Sequence, residues 1–127
     1  MTWLYIGLGG GIGAVARFGL AGWIQAHAGE TFPWGTLVVN GLGSLLLGFA
    51  VVYLTGTAVS PEFRRFIAIG VLGGFTTFST FGYETAAFLR NGEWLRAGGY
   101  AGGSLVLGVF GVLVGFVLAN ALLHPRG

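Results

Sequence analysis

Asn40 stands in an otherwise apolar stretch, with Thr36 four residues before it and Ser44 four residues after it. That spacing puts all three on one face of a helix. A second stripe pairs Tyr100 with Ser104, Gly108 continuing the same face, and a third run carries Thr76, Thr77, Ser79, Thr80 and Glu84 with Phe75, Phe78 and Phe81 interleaved. A lone serine or threonine in an apolar helix ordinarily bonds back to its own backbone. Asn40 is different: its amide has two donors and two acceptors, more than one helix satisfies, so it needs a partner helix or a ligand. Short of Glu84 the stripes hold no fixed charge, whereas a site for a dehydrated cation normally adds carboxylates. Hydroxyl and amide donors suit a small anion. The edges of phenylalanine rings are electropositive as well, so Phe78 and Phe81 are candidates to present edges to an anion, although plain packing is the commoner use of such a pair.

The elements that must position these residues follow from composition. Of 127 residues, 54% are hydrophobic and 8% charged, against about 25% charged in a soluble domain. No charge falls between Glu30 and Glu62, nor between Arg96 and Arg126, and each interval holds the roughly 20 apolar residues that a spanning helix needs. The expectation is an all-α integral membrane protein, one domain over residues 1–127, with four spanning helices over about 2–25, 33–54, 62–89 and 94–123. Six scattered arginines and a net charge of +2 make no basic patch of the kind nucleic acid requires. There is no cysteine, which excludes disulfides and thiolate chemistry, and His27 and His124 cannot hold a metal without other ligands. Gly9 to Ala14 fits a dinucleotide-binding pattern only by accident, because no strand precedes it and it sits in a spanning segment. No enzyme motif remains. Ala26-His27-Ala28 resembles a cleavage site, but the segment before it lacks a basic start and is interrupted by Arg17, so the first span is expected to stay.

The third span is the unusual one. Ser60-Pro61-Glu62 reads as a helix start, with a serine cap, proline at the first position and an acid in the first turn. Its middle pairs Gly73-Gly74 with a run of β-branched and hydroxyl residues that weaken a helix. A break at membrane depth is tolerated only where the freed backbone lines a cavity or binds something, so a discontinuous helix is expected, with carbonyls from Gly73 to Thr77 free to hold a small cation. Glycines four apart recur at Gly9/Gly13, Gly70/Gly74, Gly98/Gly102, Gly99/Gly103 and Gly111/Gly115, a spacing that lets helix backbones approach closely in lipid. Arg17, well inside the first span, is either functional or snorkelling. Glu84 is open between proton carrier, salt-bridge partner and pore-mouth residue. The arginines divide almost evenly between the two faces: Arg64, Arg65 and Arg126 on one, Arg90 and Arg96 with Arg17 nearby on the other. Such balance gives little preference for one orientation and permits an antiparallel dimer.

Three segments carry a resemblance: Gly9 to Phe18, Pro33 to Asn40, and Gly73-Gly74-Phe75-Thr76-Thr77-Phe78-Ser79-Thr80-Phe81 with Glu84 after it. In this order, and over essentially the whole chain, they resemble the Fluc (CrcB) fluoride channels. The resemblance implies an antiparallel, dual-topology homodimer in a cell inner membrane that exports fluoride passively through two pores, with a structural sodium ion at the dimer centre. It implies that Asn40, Phe78 and Phe81 line the pores, that Ser79, Thr80, Tyr100 and Ser104, with Thr36, belong to a polar track, and that the carbonyls of Gly73 and Thr76 hold the sodium. Gly108 departs from members that carry a second serine there. The rivals are a small multidrug transporter, which needs a carboxylate that the first span lacks, and a structural subunit of a membrane complex, which has no use for the threonine-rich break.

Overall fold

A chain this poor in polar side chains leaves its backbone little to bond with but itself, and in lipid that means helix. The computed structural model describes residues 1–125, and its elements are α1 (Thr2–Ala28), α2 (Trp34–Thr55), α3 (Pro61–Arg65), a π-helical stretch (Phe66–Val71), α4 (Leu72–Phe75), α5 (Ser79–Arg90) and α6 (Trp94–Leu123). α1, α2, the succession from Pro61 to Arg90, and α6 are each long and apolar enough to cross a membrane. Arg126, one of the arginines in the charge balance, lies outside the described residues.

α1 runs one turn past Gln25, to Ala28, and turns out at Gly29, whose φ of +96° suits glycine. Pro33 is buried and caps α2 from outside rather than opening it. Ser60 accepts a hydrogen bond from the Phe63 N–H at 3.2 Å, with Pro61 in the first helical position.

The spans pack as two pairs. α2 lies along α6, and α1 lies along the third span from Phe66 to Phe75. Glycine makes both pairings possible. A Cβ at Gly13 would stand 2.0 Å from the Val71 carbonyl oxygen, one at Gly74 2.5 Å from that of Gly10, one at Gly48 2.2 Å from that of Val112, and one at Gly115 2.3 Å from that of Leu45. Gly98, Gly99, Gly102 and Gly103 meet nothing within 4 Å of an added Cβ, so that part of α6 presents a bare backbone face to the outside of the subunit.

The third span is broken, a few residues later than the paired glycines alone indicate. Gly73 and Gly74 stay helical in α4, where the missing side chain of Gly74 lets α1 approach at Gly10. Thr76 is extended, with φ −95° and ψ 159°, and helix resumes at Ser79. The π-helical stretch before it, in which the Leu72 N–H reaches back to the Ile67 carbonyl, has no clear mark in the sequence. Such stretches are frequent at functional sites. Across the break the span changes partners, from α1 on one side to α6 on the other, where α5 packs.

Candidate ion path around the broken helix

A broken helix leaves carbonyls without donors, and each needs an account. Thr77 is held by Asn40. Its N–H donates to Asn40 Oδ1 at 2.8 Å, and its carbonyl accepts from Asn40 Nδ2 at 2.9 Å. The asparagine amide thus takes the place of a neighbouring peptide, one donor and one acceptor used on the same residue. The Gly74 carbonyl accepts from Arg17 Nε at 3.2 Å. Arg17 is therefore tied to the break by its Nε, and its terminal nitrogens stay available to the cavity that it lines.

Two other carbonyls lose their regular donors to side chains. The N–H of Thr77, which would close a helical bond on Gly73, goes to Asn40. The N–H of Thr80, which would close one on Thr76, goes to Thr77 Oγ1 at 3.3 Å. Gly73 and Thr76 thus keep carbonyl oxygens without their i+4 partners, and such uncharged oxygens are the donor set that suits a hard monovalent cation. Gly73 is also exposed on the subunit. The residues present fit sodium. Among the described residues no three of His, Cys, Asp and Glu come together as a conventional metal cluster.

Beside the break lies an open cavity of about 700 Å3 whose walls include Arg17, Thr36, Thr77, Thr80 and Glu84. Glu30, Asn91 and Glu93, from the two connections at the same end of the bundle, line it as well, with Arg96 from the first turn of α6. Arg96 and Glu93 pair there at 2.6 Å. Glu84 makes no ion pair among the described residues; it accepts the Tyr100 hydroxyl at 3.0 Å. Tyr100 is wholly buried (0% exposed) and Thr36 nearly so. One helical turn on from Tyr100, Ser104 has a buried Oγ with no hydrogen-bond partner, unlike Thr55, Thr76 and Thr85, which bond back to the preceding turn. Gly108 continues that face towards Ser44, and an added Cβ would meet Ser44 Oγ at 3.7 Å, an ordinary contact.

Rings adjoin the polar groups. Phe81 lies 5.2 Å from Tyr100 and 5.8 Å from Phe78, centroid to centroid, both pairs tilted. Phe78 is 82% exposed, and Ser79 beside it is exposed as well. The sequence-identified residues therefore fall into two sets. Thr36, Asn40, Thr80, Phe81, Glu84, Tyr100 and Arg17 converge around the break and cavity, and Ser104 lies just along α6. Phe78, Ser79 and Gly73 face away from the single subunit. Sequence reasoning passed over Gln25, Phe32 and Phe88, which also line the cavity. A glutamine at a helix end and a phenylalanine in a connection carry no periodic signal; the only hint was an amide among apolar neighbours.

A family model described as CrcB-like protein, Camphor Resistance (CrcB), matches residues 4–116. Proteins named fluoride-specific ion channel FluC are similar over nearly the full length. The one from Opitutus terrae is 50% identical, with 98% of this chain and 97% of its own covered. One from Thermus thermophilus and one from Aquifex aeolicus are 48% and 44% identical, covering 94% and 92% of this chain and 94% and 95% of their own.

Proposed function

The chain belongs to the CrcB family, and on that premise we propose its activity: it is a fluoride-selective channel in a membrane, not an enzyme. Fluoride enters acidified cells as neutral HF and is trapped as the anion; a passive pore lets the anion leave down its electrochemical gradient. Fluoride is small and strongly hydrated, so a filter must offer close donors in place of water. The observation that carries the reading is the break at Thr76–Phe78, held by the Asn40 amide and flanked by the Phe78 and Phe81 rings, with Thr36, Thr77 and Thr80 lining the cavity beside it. Asn40 holds the broken segment while one N–H of its amide stays free for the ion. Thr36, Thr80, Tyr100 and Ser104 form the polar track, Ser79 joins it from the outer face, and Phe78 and Phe81 turn ring edges to the ion.

The working unit is an antiparallel homodimer in the cell inner membrane. Four helices do not enclose a pore alone, the arginine balance favours neither orientation, and Phe78, Ser79 and Gly73 are exposed in a lone subunit. Sodium at the centre of that dimer is held by the Gly73 and Thr76 carbonyls of both copies. Bound there, it supplies the positive charge that the freed carbonyls need in lipid.

Efflux from proteoliposomes tests the activity. With potassium and valinomycin setting the potential, loaded vesicles release fluoride and retain chloride. Equal release of the two anions would sink the proposal.

A further inference from the structure

Gln25, near the end of α1, has its carboxamide almost fully used. Nε2 donates to the Gly29 carbonyl at 2.5 Å and to the Phe32 carbonyl at 2.8 Å, and Oε1 accepts from the Gly35 N–H at 3.1 Å. These bonds join the end of one span, the connection after it and the first turn of the next. The Gly35 N–H is one of the donors that a helix start leaves without a partner, and Pro33 at the cap position makes no side-chain bond to it. Gln25 therefore caps α2 from a neighbouring helix. There is no slack in the crossing, because a Cβ at Gly35 would stand 2.3 Å from the Ala21 carbonyl oxygen.

What this clamp fixes is Phe32. Its ring meets Tyr100 edge-on, at 5.5 Å and 86°, and lies 6.3 Å from Phe88. Tyr100 is also in contact with Phe88 at 6.2 Å and with Phe81 at 5.2 Å, and its hydroxyl donates to Glu84. The buried phenol is thus wedged among three rings, one of them on the ion path and one supplied by the connection that Gln25 holds.

We infer that Gln25 and Phe32 are positioning residues for the ion path: Gln25 pins the connection so that Phe32 buttresses Tyr100, and Tyr100 in turn sets the angle at which Phe81 faces the ion. Both line the cavity, and their effect is exerted through Tyr100 rather than by holding the ion. Edge-to-face packing is directional in a way that aliphatic packing is not, so a ring at position 32, rather than bulk alone, is what counts. The inference rests on the fluoride reading.

The test uses the full-length protein in liposomes, with para-fluorophenylalanine in place of Phe81 in a parallel sample. Phe32→Leu keeps bulk and removes the ring; Phe32→Tyr keeps the ring. Phe32→Leu is expected to lower fluoride efflux about two- to tenfold, the factor equivalent to one aromatic pair, with gel filtration unchanged and the fluorine resonance at position 81 displaced. Phe32→Tyr restores both efflux and resonance. Gln25→Leu reproduces the Phe32→Leu effect, and the double variant is no worse than either single one, as residues acting through one strut require. Where Gln25→Leu yields no folded protein, the two Phe32 variants decide alone. Unchanged efflux and an unmoved resonance in Phe32→Leu, or additive losses in the double variant, would overturn the inference. Failure of the unaltered protein to release fluoride counts against the functional reading instead, and the resonance at position 81 still reads the strut.

Discussion

Replacing Asn40 by aspartate swaps the two-donor amide nitrogen for an acceptor oxygen at the point where the broken helix is held. Oδ1 still accepts from the Thr77 N–H, 2.8 Å away, but the group 2.9 Å from the Thr77 carbonyl turns from N–H into oxygen. That carbonyl loses its donor, and an unsatisfied buried group costs about 1–3 kcal/mol; a carboxylate oxygen facing it adds repulsion. Asn40→Leu loses both bonds, so about the same amount again is at stake for the Thr77 N–H. Thermal unfolding in detergent should therefore rank the parent above Asn40→Asp at neutral pH, with Asn40→Leu also below the parent. Acidification gives a sharper check. A protonated carboxyl regains an O–H donor for the Thr77 carbonyl, so lowering the pH should narrow the gap between Asn40→Asp and the parent and leave the Asn40→Leu gap alone. Unfolding, rather than flux, is the readout, since at low pH HF crosses lipid unaided. An Asn40→Asp protein that unfolds with the parent at every pH would refute the clamp.

Phe78→Ala or Phe81→Ile should lower fluoride efflux about tenfold or more, a barrier rise of about 1.4 kcal/mol, while gel filtration still shows an intact dimer. Phe78 is 82% exposed in the subunit, so its truncation spares subunit stability, and undiminished efflux would mean that the rings only pack. Gly48→Ala forces a methyl to within 2.2 Å of the Val112 carbonyl oxygen and should destabilise the α2–α6 pair by about 1–3 kcal/mol, read as a lowered unfolding temperature; Gly7→Ala, whose methyl meets nothing in the subunit, leaves the packing of the subunit unchanged. Exhaustive removal of sodium should abolish efflux and its return restore it, and activity indifferent to sodium would count against the carbonyl site.

What the sequence disclosed was what depends on composition and period. Two charge-free intervals and a capped Ser60-Pro61 start mark spans, and the threonine-rich run marks a break. The glycine spacing identified close approaches, but not which ones: Gly9, Gly13, Gly70 and Gly74 face one another within the subunit, while Gly98 and Gly102, with the same spacing, face outward. Spacing encodes the capacity to pack, and the neighbour is chosen by the fold. Asn40 was legible as a residue in need of partners, yet that the partner is the Thr77 backbone depends on a register between two helices that no local pattern contains. The π-helical stretch and the Gln25 clamp were hidden for the same reason, since each is fixed by contacts distant in sequence.

The exchange of partners at the break has a bearing on when each part of the chain becomes rigid. α5 has no buried residue and packs chiefly on α6, whereas the stretch before the break is locked backbone to backbone against α1. Segments with few buried contacts open first. In a newly inserted lone subunit, the amides of α5 should exchange with deuterium well before those of α1 and α2, and protection there should arrive only with the second copy. The half-span that carries Ser79, Thr80, Phe81 and Glu84 would then take its final shape at assembly rather than at insertion, so that an unpaired subunit holds an unfinished path and stays closed to ions.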